Sequence, residues 1–67
     1  MKYTVIVVWK TEGNEIHSDV KTTKYPDIAK SFFEAYCKLM NTSPSLSLKR
    51  VSLYEDGYEI ERRINVG

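Results

Sequence analysis

The first 22 positions carry two patterns of apolar and polar residues that are typical of β-strands. Residues 3–10 (YTVIVVWK) are rich in β-branched and aromatic side chains and end at the turn-forming segment TEGN. Residues 15–22 alternate apolar or small side chains with charged ones, which is the period of a half-buried strand. The two segments together predict a β-hairpin.

Matching of apolar side chains across this hairpin favours one register. It pairs Trp9 with Ile16 and Val5 with Val20, whereas a slip by one residue would place Val7 opposite a carboxylate. We therefore expect the first register, with these side chains in the core. The face that points away from the core is then formed by Ile6, Val8, His17 and Asp19.

Residues 26–40 have the pattern of an amphipathic helix. Pro26 suits a first helical turn because its missing N–H costs nothing there, and Asp27 complements the positive end of the helix dipole. At 100° per residue the apolar side chains fill an arc of about 160°, wide enough to lie across a sheet. We expect Phe33, Cys37 and Met40 at an edge of this stripe that a small sheet does not fully cover.

Residues 48–54 and 58–64 flank Asp56-Gly57, one of the strongest short signals for a hairpin, because a type I′ turn requires positive φ at both positions. A two-residue loop pairs Leu53 with Ile60 and Val51 with Arg62. The side chains expected to point inward are Val51, Leu53, Tyr58, Ile60 and Ile64. Those expected to point outward are Arg50, Ser52, Tyr54, Glu59, Glu61 and Arg63.

The order of elements is β-β-α-β-β, which predicts a small α+β domain. Its simplest form is a four-stranded antiparallel sheet of strand order 2-1-3-4 with the helix on one face. A chain of 67 residues is a single domain at most, so residues 1–67 are expected to share one core.

The composition of the chain bears on its cellular location and on the classes of partner it attracts. Ten basic and nine acidic side chains give a net charge of +1, which supplies no general attraction to nucleic acid or to an anionic membrane. A single cysteine excludes an internal disulfide and favours a reducing, cytoplasmic location. No apolar run is long enough for a signal peptide or a membrane span.

Candidates for chemistry are few, and we expect a non-enzymatic protein without cofactor or metal. His17 and Asp19 could be imagined as a pair, but no serine or cysteine nucleophile completes a triad. Cys37, at the border of the apolar stripe, is typical of a small packing residue. Four carboxylates alternate around the second hairpin tip rather than converging: Glu55, Asp56, Glu59 and Glu61.

A basic cluster on the second hairpin supports the alternative of a nucleic-acid-binding module. The predicted register brings Arg50 opposite Arg63, and nearby tyrosines could stack on bases. Against this, Glu59 and Glu61 are expected on the same face, whereas a basic footprint is normally clear of acids. The candidate contacts are Lys49, Arg50, Arg62 and Arg63.

The leading hypothesis is a protein-binding module. Ile6 and Val8 are expected to face away from the helix, with Tyr54 on the same side and charged residues around them, as in a protein interface. The alternative is a purely structural role, in which the long aliphatic parts of Lys and Arg side chains cover both residues. A second candidate surface is the helix edge with Phe33 and Met40, and either surface could form a homodimer. A small self-contained domain without a motif or compartment signal is typical of phage or mobile-element accessory proteins that bind and inhibit a host protein. No motif identifies such a family.

Overall fold

The strands and the helix follow one another in the predicted order. A computed structural model describes residues 1–65. Its elements are β1 (Tyr3–Lys10), β2 (Ile16–Thr23), α1 (Pro26–Asn41), β3 (Leu48–Glu55) and β4 (Tyr58–Ile64). The four strands form one sheet of order β2-β1-β3-β4 in which all neighbours are antiparallel. The α+β fold and the strand order 2-1-3-4 are confirmed.

The core lies between α1 and the two central strands. The buried apolar side chains of the sheet are Tyr3, Val5, Val7, Val51 and Leu53, and those of the helix are Ala29, Phe33, Cys37 and Met40. Odd-numbered positions of β1 and β3 therefore face the helix, and even-numbered positions face away, because successive side chains alternate. We call the side that faces away from the helix the outer face.

The helix is rotated relative to the expectation. Phe33 is 0% exposed and Met40 is 4% exposed, so the prediction that they lie at an uncovered edge is wrong. The buried row instead follows the i, i+4 spacing from Ala29, which places Phe33 in the core between the helix and the sheet. The exposed apolar flank of the helix is formed by Ile28 (44%) and Leu39 (54%). Neither Phe33 nor Met40 is therefore available at the surface.

The first hairpin has the register that hydrophobic matching disfavoured. Trp9 lies opposite His17 and Val7 opposite Asp19, so the predicted register is wrong by one residue. The loop sets this pairing: the Thr11 N–H donates to the Glu15 carbonyl at 2.9 Å. A loop closed in this way fixes the register of both strands. Ile16 and Val20 consequently lie on the outer face rather than in the core.

Polar side chains on the helix face of β2 are accommodated by specific partners. The Tyr36 hydroxyl of α1 donates a hydrogen bond to Asp19 Oδ2. The ring of His17 stacks on that of Trp9, with centroids 5.7 Å apart and planes at 22°. His17 and Asp19 are therefore not on the outer face, as the predicted register required. Their partners lie on other elements, which a comparison of two strands does not include.

The second hairpin begins as predicted and then shifts. Asp56 (φ 49°) and Gly57 (φ 87°) form a two-residue turn with positive φ at both positions, which is the type I′ geometry. Beyond it a β-bulge inserts Ile60, so Tyr54 lies opposite Glu59 but Leu53 lies opposite Glu61. The predicted pairing of Leu53 with Ile60 is wrong for this reason.

The bulge exchanges the two sides of the distal half of β4. Glu61 and Arg63 face the helix although they were expected to point outward, and Ile64 faces outward although it was expected in the core. Tyr58 lies opposite Glu55 on the helix side but remains exposed. On β3 the predicted orientations are confirmed: Val51 and Leu53 point inward, and Arg50, Ser52 and Tyr54 point outward.

Candidate functional site

The outer face of the sheet is the main candidate surface, because within residues 1–65 the helix packs only on the opposite side. Its position follows from the strand registers and the alternation of side chains. The outer face consists of Thr4, Ile6, Val8 and Lys10 from β1, Ile16, Ser18, Val20 and Thr22 from β2, Leu48, Arg50, Ser52 and Tyr54 from β3, and Glu59, Arg62 and Ile64 from β4.

Aliphatic side chains form the centre of this outer face. Ile6 lies directly beside Val20 of β2, and Val8 follows two positions along the same strand. Ser52, on the other side of Ile6, is only 2% exposed although no layer within residues 1–65 covers it. Val20 is 52% exposed. Ile6 and Val8, which are half-buried, and the exposed Val20 therefore form a group of neighbouring apolar side chains on this face.

Three further aliphatic residues border this centre, and sequence reasoning missed all three on this side. They are Ile16, Leu48 and Ile64, each exposed. Ile16 and Leu48 flank Lys10 in the row across the sheet, and Ile64 lies opposite Arg50. The register of the first hairpin that the sequence analysis rejected places the apolar residues of β2 on the same face as Ile6. That alternative register was the one sequence signal that could have identified part of this set.

Tyr54 lies on the outer face as expected. It sits opposite Thr4 of β1 and Glu59 of β4 and is half-buried among them. The aromatic ring therefore extends the apolar centre at one end of the face.

The charges of the outer face are mainly positive. Lys10, Arg50 and Arg62 lie on it, and its single carboxylate among the described residues is Glu59, which pairs with Arg62 (Nε to Oε1, 3.1 Å). Lys10 and Arg50 form no ion pair within residues 1–65. The chain has nine acidic residues, so nearly all of its carboxylates lie elsewhere. His17, Asp19 and Glu61, which were expected on this face, are on the helix side.

The predicted basic cluster is divided between the two faces. Arg50 and Arg62 are on the outer face, whereas Lys49 and Arg63 are on the helix side. Arg50 lies opposite Ile64, so its predicted pairing with Arg63 is wrong, and the bulge at Ile60 is the cause.

Arg63 is held against the helix. Its guanidinium carbon lies 5.3 Å from the centroid of the Phe33 ring. Its Nη2 is 3.7 Å from Glu34 Oε1 and 3.5 Å from Glu61 Oε1. A guanidinium over an aromatic face is stabilised by the ring quadrupole. Arg63 therefore packs against the Phe33 ring and pairs with two carboxylates, while its side chain remains 46% exposed.

The candidates for chemistry are engaged in packing. His17 Nε2 lies 3.3 Å from Glu15 Oε2, not beside Asp19, whose carboxylate is bonded to Tyr36. Cys37 is buried in the core, and desolvation raises the pKa of its thiol. A thiol in this setting is protonated at neutral pH and a poor nucleophile.

One hydrogen bond joins β2 to α1 and perturbs both of its partners. The hydrogen bond from Tyr36 is the main cause that lowers the pKa of Asp19. Burial, together with the same bond and the nearby carboxylate charge, raises the pKa of Tyr36 to about 12. Asp19 also accepts a hydrogen bond from the Val20 backbone N–H through Oδ1 at 3.0 Å. This carboxylate thus contacts the helix and the free edge of the sheet together.

Residues 1–65 form no pocket. In the same range, no three histidine, cysteine or acidic side chains come together in a way that could hold a metal ion. No helix of the described part of the chain has the length and apolar character needed to cross a membrane. The surface features above are therefore what the structure offers for recognition.

Comparison with known proteins adds no relative. No protein-family model, no curated protein and no solved structure matches the chain.

Proposed function

We propose that the protein is a non-enzymatic binding module that docks on a partner protein through the outer face of its sheet. The observation that supports this most directly is the aliphatic centre formed by half-buried Ile6 and Val8 and exposed Val20, over which residues 1–65 place no second layer, on a sheet whose other side is packed by the helix. An apolar centre with polar residues around it is the anatomy of a protein interface. Contiguous exposed apolar surface of this kind commonly marks an interaction site.

The charges define the chemistry of the partner. Lys10 and Arg50 flank the aliphatic centre without an ion pair among the described residues. A complementary partner surface presents aliphatic side chains bordered by carboxylates. Such charge complementarity mainly accelerates association and fixes orientation, and its contribution falls as salt rises.

We propose further that the module acts in the cytoplasm and by occupancy. Its lone cysteine, Cys37, is buried and reduced, which suits a reducing compartment. A small domain that acts by covering its partner's surface inhibits whatever that surface does. This is the mode expected of phage or mobile-element accessory proteins that block a host protein.

The test uses a pair of double variants with matched charge changes. Ile6→Glu with Val8→Lys disrupts the outer face, and Ile28→Glu with Leu39→Lys makes the same changes on the exposed flank of the helix. Partners captured by the immobilised wild-type protein are identified, purified and titrated against all three proteins by calorimetry. Circular dichroism verifies that each variant is folded.

We expect the outer-face variant to lose at least about tenfold in affinity, the scale of 1.4 kcal/mol, and the helix variant to bind like wild type. Affinity of the wild type is also expected to fall with added salt. Equal binding by the outer-face variant and wild type would overturn the proposal.

Nucleic acid remains a second candidate, favoured by the positive charge of the outer face and by the position of Tyr54 on it. Mobility shifts with single-stranded RNA and duplex DNA test it, using Arg50→Glu against Lys49→Glu, which lies on the helix side. A salt-sensitive shift that only Arg50→Glu abolishes supports nucleic-acid binding. No shift with wild-type protein contradicts it.

A further inference from the structure

β2 is an edge strand with regular geometry. It runs for eight residues, Ile16–Thr23, without proline, and its pairing with β1 contains no bulge. Most of its side chains are exposed. The opposite edge, β4, is interrupted by the bulge at Ile60. A long, regular edge strand is a template for pairing with another strand, whereas a bulge discourages it.

The loop of the first hairpin shows which backbone groups of β2 are free. Because the Thr11 N–H donates to the Glu15 carbonyl, that pair is hydrogen-bonded, and hydrogen-bonded pairs recur at every second residue. Odd-numbered residues of β2 therefore bond β1. The residues whose N–H and C=O groups point away from the sheet are Ile16, Ser18, Val20 and Thr22.

Pairing of β2 with an identical strand is restricted to a few registers. Free groups must meet free groups, so even-numbered residues must lie opposite even-numbered residues. The two longest antiparallel pairings that satisfy this join residues 16–22, centred on Asp19, or residues 17–23, centred on Val20. The first places two Asp19 carboxylates opposite each other. The second places Asp19 opposite Lys21 of the other copy, twice.

We propose that β2 pairs antiparallel with β2 of a second copy, about a two-fold axis at Val20, to form a continuous eight-stranded sheet. Val20 then lies opposite Val20, and Ser18 opposite Thr22, which gives about six backbone hydrogen bonds. The Asp19–Lys21 pairs occupy positions without backbone hydrogen bonds, where facing side chains are closest. The surface is self-complementary, as a two-fold interface requires.

Asp19 also determines which hydrogen bonds are lost and gained when the two strands pair. In the single chain its Oδ1 accepts from the Val20 N–H, one of the free donors of the edge. On pairing, that N–H donates to the Val20 carbonyl of the second copy, and Oδ1 turns to Lys21. One hydrogen bond replaces another, while Oδ2 keeps its bond to Tyr36. A strand without a cation at this position would leave the displaced carboxylate unpaired.

Edge pairing is independent of the proposed function but combines with it. Even-numbered residues of both copies share one side of the joined sheet, so the two outer faces become a single surface. The Ile6 and Val20 side chains of the two copies then form a single row across the axis. The aliphatic centre available to a partner protein would then be twice as wide as in the single chain.

Charge variants test both the dimer and its register. Sedimentation velocity is measured for wild type, Asp19→Lys, Lys21→Glu and an equimolar mixture of the two variants. We expect wild type to dimerise and each single variant to dimerise at least about tenfold more weakly, because like charges then face each other twice. The mixture is expected to form a heterodimer, since the lysine introduced at position 19 of one variant faces the glutamate introduced at position 21 of the other.

A backbone variant provides the matched control. Ser18→Pro removes a free N–H without touching the ladder to β1, whereas Ser18→Ala keeps that N–H. We expect only the proline variant to become monomeric, with an unchanged circular dichroism spectrum. These variants and Lys21→Glu keep the test decisive if Asp19→Lys, which loses the Tyr36 hydrogen bond, fails to fold.

Several outcomes would overturn edge pairing. They are a monomeric wild-type protein at millimolar concentration, an unaffected Lys21→Glu dimer, or a mixture that stays monomeric. A dimer abolished by Ile6→Glu with Val8→Lys but not by Ser18→Pro would show face-to-face association instead. The two proposals can fail separately. Without edge pairing, a partner protein can still bind the outer face. If the outer face binds no partner, the Ser18→Pro variant still tests edge pairing.

Discussion

The register of the first hairpin can be tested with two isosteric substitutions, Val7→Thr and Val20→Thr. Threonine keeps the β-branched shape of valine and its preference for strands, and it replaces one methyl group by a hydroxyl. Val7 is 0% exposed and lies in the core, whereas Val20 is 52% exposed on the outer face. The substitutions therefore differ in whether the new hydroxyl is buried.

The expected magnitudes follow from this difference. A hydroxyl buried without a hydrogen-bond partner costs about 1–3 kcal/mol in proteins. A chain of this length has a total stability of roughly 3–10 kcal/mol, so Val7→Thr removes a large fraction of it. Val20→Thr is a surface change, and its effect on the free energy of unfolding should stay within about 0.5 kcal/mol.

Urea unfolding followed by circular dichroism measures both effects, at a protein concentration low enough to keep the chain monomeric. With a slope of about 1 kcal/mol per M, Val7→Thr should lower the midpoint by about 1 M or more, and Val20→Thr by less than about 0.5 M. If Val20→Thr destabilised the protein as much as Val7→Thr, Val20 would be a core residue and the outer face would lose its centre.

Three further predictions concern the turn, the helix contact and the stacked arginine. Gly57→Ala should destabilise the fold by about 1–2 kcal/mol in thermal unfolding, because the residue has φ 87°; no loss would contradict the turn geometry. Tyr36→Phe should flatten the pH dependence of the urea midpoint in both the acidic and the alkaline range. The lowered pKa of Asp19 stabilises above about pH 4 and is lost as pH falls. The raised pKa of Tyr36 stabilises below about pH 10 and is lost towards about 12, so unchanged profiles would refute the contact. Arg63→Gln should cost about 0.5–1 kcal/mol through its position over Phe33, and Arg63→Lys should recover only part of that in the same urea assay.

The elements of this fold could be predicted because their signals are local. The β-branched run before TEGN, the proline at position 26 and the Asp56-Gly57 turn each identify an element or its boundary from adjacent residues. The strand order followed from the element order and the preference for antiparallel neighbours. Both hairpins, the helix and the sheet topology were accordingly confirmed.

The registers depended on contacts between distant elements. Asp19 was placed on the outer face because the alternative register set its carboxylate opposite Val7, whereas its partner, Tyr36, lies on the helix. The bulge at Ile60 has no glycine or other local signal, yet it reverses the sides of Glu61 and Arg63. Matching apolar residues across two strands could detect neither effect.

The candidate site was predicted correctly only in the two central strands, β1 and β3. Ile6 and Val8 stood out because β1 is apolar on both sides, a property that does not depend on the register of its neighbours. Val20 and Ile64 were missed because their positions do depend on it. Phe33 and Met40 were misplaced because a wide helical stripe does not by itself show which row faces the sheet.

The unequal edges of the sheet also limit how far the protein can assemble. If two copies join along β2 as proposed, both ends of the joined sheet are β4 strands that carry the bulge at Ile60. A bulged strand offers a poor template for the next chain. In the proposed dimer, the bulge that shifted the predicted register of β4 would therefore stop growth at two copies and keep the open β-sheet from extending into a fibre.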